Sequence, residues 1–268
     1  MHPALRVFAT VYIFLMIFIS WVIIWLVQTI TKALIFPFTT AEQQADICGH
    51  IFRRISFVFV DVLNPFWRTK VLKALPEMKK DGKYIVVLNH LSNADPWFAI
   101  RPILPYDCKW ICKGSLFKVP FGGWALKNNG DLAIHFTAEK GGWGTKKGSV
   151  GALMDQARAC VRRSQPIAVF PEGVRNPEPL GPLQEFKLGF FTLAVEEDVT
   201  ILPIAISGSE TAWPRGDWKF NTASCFVTCG EPIAAKGHTA QELCDKVKQV
   251  ISDMRESHPD RKRLQKKD

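Results

Sequence analysis

Several patterns that would point to familiar classes of protein are missing from this 268-residue chain. It has no Gly-x-Ser-x-Gly stretch, which counts against a lipid hydrolase built on a nucleophile elbow. The glycine-rich residues 141–148 match neither Gly-x4-Gly-Lys-Ser/Thr nor Gly-x-Gly-x-x-Gly, so nucleotide-binding folds have little support. No internal repeat is visible. The length fits one sizeable α/β domain with an appendage.

Cysteine is scarce, and its pattern is not that of a cross-linked protein. The seven cysteines are scattered and odd in number, so no disulfide framework is indicated and a reduced domain facing the cytosol is the simpler interpretation. Cys108 and Cys112 are separated by three residues, as are Cys225 and Cys229. Zinc ligands more often come as Cys-x2-Cys or with matching histidines, and both pairs lie in strand-like runs. We therefore predict no metal.

Charged residues are absent from 7–31, and the centre of that run is almost wholly apolar. As a helix these residues would extend roughly 37 Å, enough to cross a hydrocarbon layer of about 30 Å with some tilt. A cleaved signal peptide is the alternative, but its apolar part usually has about 7 to 15 residues and ends at a small-residue cleavage site. We predict a membrane anchor over residues 1–40. Whether it spans the bilayer or returns as a hairpin stays open.

A second apolar region follows the anchor, at 33–38 and 55–60. Pro37 discourages one continuous helix through it. Arg53 and Arg54 stand beside apolar residues, which indicates a segment along the membrane surface with its basic groups near lipid phosphates. We predict that residues 41–80 form an interfacial or connecting helical segment.

The chain is basic, with a formal charge of +9 and a pI of about 9.2. That balance favours an anionic partner: nucleic acid, an anionic membrane surface or a phosphorylated substrate. The apolar run selects the membrane, so we predict the lipid bilayer as a partner and no nucleic acid. Residues 258–268 form a basic tail, predicted to be solvated, with contact to anionic lipid as the alternative.

Beyond residue 80, apolar strand-like runs alternate with helical stretches, which predicts an α/β fold with a mixed, largely parallel sheet flanked by helices. The predicted strands are 84–88, 109–112, 131–136, 167–170, 201–207 and 225–228. The predicted helices are 96–103, 116–128, 150–163, 186–197 and 239–256.

A histidine and a carboxylate, His90 and Asp95, follow the apolar run 84–88. That run does not alternate, as expected of a strand buried on both faces, and ligands of open α/β sheets bind at the carboxyl ends of strands. Histidine can act as a general base near neutral pH, and aspartate can accept its other ring N–H. In one continuous helix the two side chains would point about 140° apart, so the residues between them must form a turn.

The residues around Asp95 agree with such a turn, since Ser92, Asn93 and Pro96 are turn formers. Asp95 followed by proline also suits the cap or first residue of a helix. Both roles are compatible.

Four blocks in order resemble the lysophosphatidate (1-acylglycerol-3-phosphate) acyltransferase family of glycerolipid acyltransferases. They are Asn-His-x4-Asp at 89–95, Lys-x2-Leu-x3-Pro-x2-Gly-Trp at 113–124, Phe-Pro-Glu-Gly-Val-Arg at 170–175 with Phe-Lys-x-Gly at 186–189, and an apolar strand with a central proline at 201–205. The resemblance covers roughly residues 84–206. Each block is weak alone, but their order and spacing make a strong signal.

The resemblance implies a glycerol-3-phosphate acyltransferase-like fold for residues 81–257, with no cofactor and no metal. His90 would be the base and Asp95 would orient it. The resemblance also implies that the glycerol-phosphate acceptor is bound by Glu172, Gly173 and Arg175. Lys113 and Lys187 are further phosphate ligands by the same resemblance, with simple solvation as the alternative for each.

The chain departs from the family pattern in two places. Val174 stands where family members commonly have threonine. The second block usually ends with an arginine a few residues past Gly130, whereas this chain reads Asp-Leu-Ala-Ile-His-Phe there. Lys140, Lys146 or Lys147 could supply the missing cation. His135, within that stretch, is interpreted as a strand residue with a structural or surface role.

The implied reaction is transfer of an acyl group from acyl-CoA or acyl carrier protein to the sn-2 hydroxyl of lysophosphatidate, giving phosphatidate. The implied location is a membrane, that of the endoplasmic reticulum in a eukaryote or the inner membrane in a bacterium, with the catalytic domain facing the cytosol. Two alternatives stay open. The acceptor could be another lysophospholipid, such as lysocardiolipin or lysophosphatidylcholine, or the protein could bind membrane lipid without catalysis.

Overall fold

A computed structural model describes residues 2–136 and 148–261. The strands are β1 (Trp67–Lys73), β2 (Tyr84–Leu88), β3 (Lys109–Lys113), β4 (Leu132–Ile134), β5 (Ile167–Val169), β6 (Thr200–Ser207), β7 (Ala223–Cys229) and β8 (Ile233–Ala234). The helices are α1 (Pro3–Ile35), α2 (Ala41–Ser56), α3 (Asp95–Ile103), α4 (Gly122–Asn128), α5 (Ser149–Arg162), α6 (Gly189–Glu196), α7 (Ser209–Ala212) and α8 (Ala240–Glu256). Short 3-10 turns cover Phe36–Phe38 and Leu116–Lys118, and a π-helical segment, Phe57–Val62, prolongs α2.

The strands form one mixed sheet in the order β1-β7-β6-β2-β5-β3-β4, with β8 on the side of β6. The strands β6, β2, β5, β3 and β4 are parallel, while β7 is antiparallel to β6 and β1 is parallel to β7. The predicted mixed, largely parallel α/β architecture is confirmed. Because β2 and its neighbours run the same way, their carboxyl ends meet along one edge of the sheet.

Strand β2 is central, and all five of its residues are buried. Val86 and Leu88 pack into the core shared with α1 and α3, whereas Ile85 and Val87 pack into the core beneath α5, α6 and α8. The unbroken apolar run is therefore explained by burial on both faces.

The apolar helix α1 lies along the domain. Near one end Arg6 contacts Asp217 at 2.6 Å, and near the other Lys32 contacts the Oδ1 of Asn128 at 3.1 Å. The buried stripe recurs every three or four residues and consists of Ala9, Thr10, Ile13, Ile17, Ser20, Ile24 and Gln28. The opposite face exposes large apolar side chains to the outside. Within the described residues, Pro3–Phe38 is the one helical segment long and apolar enough to cross a membrane.

Two predicted elements differ from the structure. Residues 67–73 were expected in a helical connecting segment but form β1, an edge strand whose buried and exposed residues largely alternate. The helix predicted over 116–128 is interrupted, because Pro120 lacks an amide donor and the residue before a proline favours extended backbone. Val119 is accordingly extended, Phe121 has φ of 57°, and α4 begins only at Gly122.

Two arginines predicted at lipid or in solvent are buried. Arg53 donates to the Oδ1 of Asp131 at 2.6 Å and is 5% exposed, so it joins α2 to the sheet; Arg54 is exposed. Arg261, expected in the solvated tail, is buried and contacts Glu256 at 2.6 Å. In both cases a nearby carboxylate compensates the charge, which sequence spacing does not reveal.

Candidate active site

The loop after β2 is fixed to the neighbouring strand by Asn89. Its side chain is fully buried, donates to the carbonyl of Ile206 at 3.0 Å and accepts from the amide of Ile206 at 2.7 Å. This pair of bonds continues the sheet ladder beyond the last residue of β2. His90 therefore starts from a rigid position at the carboxyl edge.

His90 and Asp95 meet through the predicted turn. The amide of Asp95 donates to the carbonyl of Ser92 at 3.2 Å, and the Nδ1 of His90 lies 2.6 Å from the Oδ2 of Asp95. With the carboxylate accepting at Nδ1–H, the favoured tautomer leaves the lone pair on Nε2. His90 is partly exposed, with 18% of its side-chain surface accessible. His90 can therefore act as a base on a substrate that approaches from the solvent.

The carboxylate of Asp95 is fully buried and thoroughly hydrogen-bonded. Its Oδ2 also accepts from the amides of Leu91 at 2.7 Å and Ser92 at 2.9 Å, and its Oδ1 accepts from the hydroxyl of Ser209. Asp95 is the first residue of α3 rather than its cap. These donors hold the carboxylate in place beside the ring, where it can orient an imidazole and stabilise an imidazolium.

The ring of His90 rests on an aromatic floor. Phe170, just after β5, stacks on it with ring centroids 4.2 Å apart and planes 18° apart. The ring of Trp110, in β3, also contacts Phe170, with ring centroids 5.6 Å apart. The stack fixes the ring plane, while Asp95 fixes its rotation.

Glu172, predicted to contact the acceptor, also supports the His90 loop. It is 3% exposed, and its Oε1 accepts from the amide of His90 at 2.6 Å. Its Oε2 accepts from the amide and side chain of Gln184 at 3.1 and 3.3 Å. Burial raises the pKa of Glu172, and these amides partly offset the increase. Both oxygens are satisfied within the protein.

Gly173 and Arg175 lie on the same turn after β5. Gly173 adopts φ of +73°, and a Cβ there would meet nothing within 4 Å, so its backbone borders open space. Arg175 is half-buried, and burial followed by the nearby Arg215 lowers its pKa, while Asp95 acts in the opposite direction. The amide of Asn176 donates to the carbonyl of His90 at 2.7 Å, so this turn adjoins the His90 loop.

The two predicted phosphate lysines are both exposed. Lys113 ends β3 and lines a cavity of about 200 Å³ with Lys118 and His135, among others. The backbone of Lys187 donates to the carbonyl of Pro171 at 2.9 Å.

His135 is exposed, as expected of a surface residue. It closes over Gly114, where a Cβ would lie 2.3 Å from its Nδ1. The possible substitutes Lys140, Lys146 and Lys147 fall outside the described residues.

Sequence reasoning missed Ser209 and Arg215. Ser209 begins α7 immediately after β6, so the rule that strand ends converge was available to find it. Arg215 lies in the loop between α7 and β7, and its position depends on how that loop folds back over the edge. Nothing in its local spacing indicates this.

Comparison with known proteins identifies the family of this chain. The family model described as Acyltransferase matches residues 70–207, just over half of the chain. The chain belongs to this acyltransferase family. The match begins inside β1 and ends with the last residue of β6.

Curated 1-acyl-sn-glycerol-3-phosphate acyltransferases are similar to the chain. It is 28% identical over 195 residues to the chloroplastic 1-acyl-sn-glycerol-3-phosphate acyltransferase BAT2 of Brassica napus, covering 70% of this chain and 51% of that protein. It is 29% identical over 168 residues to the alpha enzyme of the same name from Homo sapiens, covering 62% and 56%. The chain thus spans about half the length of the curated relatives that it matches.

Among solved structures, the chain is similar to the crystal structure of the 1-acyl-sn-glycerophosphate acyltransferase PlsC from Thermotoga maritima. The TM-score is 0.67, the sequence identity is 22%, and the alignment covers 96% of this chain and 97% of PlsC. At that identity the likeness establishes the fold.

Proposed function

We propose that this protein transfers an acyl group from acyl-CoA or acyl carrier protein to the sn-2 hydroxyl of lysophosphatidate, forming phosphatidate. The observation that carries the proposal is the 2.6 Å contact between His90 and Asp95 at the carboxyl edge of the sheet. Membership of the acyltransferase family and the names of the relatives support the same reaction.

The reaction needs one base and no covalent enzyme intermediate. The Nε2 of His90 removes the acceptor hydroxyl proton as the oxygen attacks the thioester carbonyl. Asp95 stabilises the imidazolium that forms. When the tetrahedral intermediate collapses, the carbon–sulfur bond breaks and the imidazolium returns its proton to the departing thiolate. The products are an ester and a free thiol, and His90 is regenerated as the neutral base.

The acceptor phosphate requires cations near this base. Arg175 can bind phosphate through its planar guanidinium, and the exposed backbone at Gly173 allows close approach. Lys113 and Lys187 are further candidates, since both ammonium groups are accessible. Glu172 acts indirectly by holding the amide of His90.

Membrane association follows from the apolar outer face of α1. Both lipid chains would remain in the bilayer while their reacting ends reach His90, which reduces the entropic cost of bringing two reactants together. The net charge of +9 favours attraction to anionic lipid. We propose that the catalytic domain faces the cytosol, on the endoplasmic reticulum in a eukaryote or the inner membrane in a bacterium.

The test is transfer of labelled acyl-CoA to lysophosphatidate by detergent-solubilised protein, comparing wild type with His90→Ala at equal folded amounts. Labelled phosphatidate should form with wild type and fall by at least about a hundredfold in the variant, the lower range of general-base catalysis. His238→Ala is a matched control, since this histidine lies before α8 at the opposite edge of the sheet.

Two results would count against the proposal. If wild type forms no phosphatidate with either thioester, lysophosphatidate is the wrong acceptor, and competition among lysophospholipid headgroups identifies the right one. If His90→Ala retains the wild-type rate, the general-base mechanism is wrong even where the product is correct.

A further inference from the structure

The loop between α7 and β7 folds back over the candidate active site. The carbonyl of Trp213 accepts from the hydroxyl of Ser92, within the His90–Asp95 turn, at 3.0 Å. The ring nitrogen of Trp213 donates to the carbonyl of Asp217 at 3.0 Å, and Asp217 in turn contacts Arg6 of α1 at 2.6 Å. The loop is thus fixed to the catalytic turn on one side and to the apolar helix on the other.

This loop brings a second guanidinium to Arg175. Arg215 is exposed, and its Nη1 donates to the backbone carbonyl of Arg175 at 3.2 Å. Proximity of this charge is one reason that the pKa of Arg175 is lowered, after burial. The two side chains come from different loops, since Arg175 follows β5 and Arg215 lies between α7 and β7.

No carboxylate in residues 2–136 or 148–261 forms an ion pair with Arg175 or Arg215. Asp95 is the acidic group that acts on Arg175 most directly, but its oxygens already accept from His90, Leu91, Ser92 and Ser209. Two neighbouring cations without a carboxylate partner repel each other, and binding of an anion would relieve that repulsion.

We propose that Arg215 and Arg175 together bind the phosphate of the acceptor and favour a phosphate monoester over a phosphodiester. A monoester carries about −1.5 to −2 charge at pH 7, whereas a diester carries a single negative charge. Two forked guanidiniums match the higher charge and its additional oxygens. This inference rests on the proposed function and adds the headgroup determinant.

The first experiment measures kcat and KM of Arg215→Ala in detergent micelles with lysophosphatidate and with lysophosphatidylcholine. The KM for lysophosphatidate should rise about tenfold with kcat within about twofold, as expected for loss of a charge-assisted hydrogen bond used in binding. Any rate with lysophosphatidylcholine should be unchanged. Arg215→Lys should recover part of the affinity, because it keeps the charge but loses the planar fork.

Arg162→Ala is the matched control, since this exposed arginine ends α5 at the opposite edge of the sheet and should leave both parameters unchanged. An unchanged KM for lysophosphatidate in Arg215→Ala overturns the proposal. So does a decrease in kcat alone, which would indicate a role in geometry rather than binding.

A second experiment separates this inference from the proposed reaction. Binding of fluorescent lysophosphatidate is measured directly, without a thioester, for wild type, Arg215→Ala and Arg162→Ala. If wild type binds this lipid but transfers no acyl group to it, the proposed reaction fails, and selective weakening in Arg215→Ala still supports the phosphate site. Equal binding by all three proteins, or none by wild type, overturns the site.

Discussion

At the scale of single residues, the site depends on the hydrogen bonds that the buried carboxylate of Asp95 accepts. Asp95 accepts from a ring nitrogen, two backbone amides and the hydroxyl of Ser209. The amides belong to the turn itself, and substitution by proline, which alone removes such a donor, would also change the turn. Ser209 is therefore the one side-chain donor other than His90 through which the position of Asp95 can be changed, as far as the described residues go.

Ser209→Ala should lower both stability and turnover. An unsatisfied oxygen on a buried carboxylate costs about 1 to 3 kcal/mol of unfolding free energy, and a less firmly held Asp95 should lower kcat about tenfold with KM unchanged. Acyl transfer and urea unfolding measure the two effects. Ser209→Thr keeps the hydroxyl and should restore both, whereas Ser224→Ala, at an exposed serine of β7, should change neither. A wild-type kcat in Ser209→Ala would show that Asp95 needs no support from this residue.

The range of a contact along the chain explains which site residues could be predicted. His90 and Asp95 are five residues apart, and Ser92, Asn93 and Pro96 favour the turn that joins them. Glu172 bonds to the His90 amide from 82 residues away, and Ser209 bonds to Asp95 from 114 residues away. Family resemblance assigned Glu172 to the acceptor, and its bond to the His90 amide is a further contact that the resemblance did not indicate. Its role depends on packing that no local pattern encodes.

At the scale of elements, α7 and the segment after α8 close the edge of the sheet with buried polar groups. The hydroxyl of Ser207 lies 2.6 Å from the Nδ1 of His258 and donates to Asp260 at 2.9 Å. Burial lowers the pKa of His258 to about 4. Glu210 of α7 is largely buried nearby, and its Oε2 has no hydrogen-bond partner among the described residues.

Glu210 should make the protein less stable as pH rises. Burial, with the carboxylates of Asp260 and Asp95 adding to it, raises its pKa from 4.5 to about 7. The folded state therefore holds this proton more tightly than the unfolded chain does, and ionising Glu210 costs on the order of 3 kcal/mol of unfolding free energy. The cost is absent below about pH 4.5 and complete above about pH 7.

Urea unfolding of Glu210→Gln across pH 4.5 to 8 tests this expectation. The variant should match wild type at the acidic end and exceed it at the alkaline end, because glutamine carries no ionisation cost. Glu77→Gln, at an exposed position, should follow wild type throughout. A difference between Glu210→Gln and wild type that does not change with pH would refute the assignment.

Two elements differ from the sequence-based prediction, the helix predicted over 116–128 and the strand β1. Apolar periodicity ran through 116–128, but Pro120 divides that stretch into a 3-10 turn and α4. In β1, the exposed positions include Arg68, Lys70 and Lys73, so its composition resembled a basic connecting segment. Its identity as a strand comes from parallel pairing with β7, which is more than 150 residues away.

At the scale of the whole molecule, α1 has two roles. One face packs against the acyltransferase domain, and the other face forms the apolar surface. Hydropathy correctly indicated a long apolar helix but could not show which face meets the protein. Three polar residues of the run mark that face, since Thr10, Ser20 and Gln28 are buried against the domain, whereas Thr29 is exposed. Gln28 donates to the Oδ1 of Asn129 at 2.7 Å and to the carbonyl of Cys48 at 3.0 Å. The opposite face remains available to lipid.

The two faces of α1 should therefore respond differently to the same charge. Val11 and Leu15 are 59% and 49% exposed, whereas Ile13 and Ile17, in the same turns, are 0% and 6% exposed. The double variant Val11→Glu/Leu15→Glu should stay folded but lose at least about a hundredfold in partition onto vesicles of phosphatidylcholine and phosphatidylglycerol, since each acidic group costs roughly 2 to 3 kcal/mol in lipid. The double variant Ile13→Glu/Ile17→Glu should unfold, because it introduces unpaired charge into the core.

Flotation with vesicles and circular dichroism distinguish the two effects. Wild-type partition by the outer-face variant would mean that lipid contacts another surface. A folded inner-face variant would mean that α1 does not pack on the domain. Loss of membrane binding without unfolding, on one face only, would establish that a single helix joins the acyltransferase domain to the bilayer along its length, which keeps His90 within reach of lipid-bound substrates.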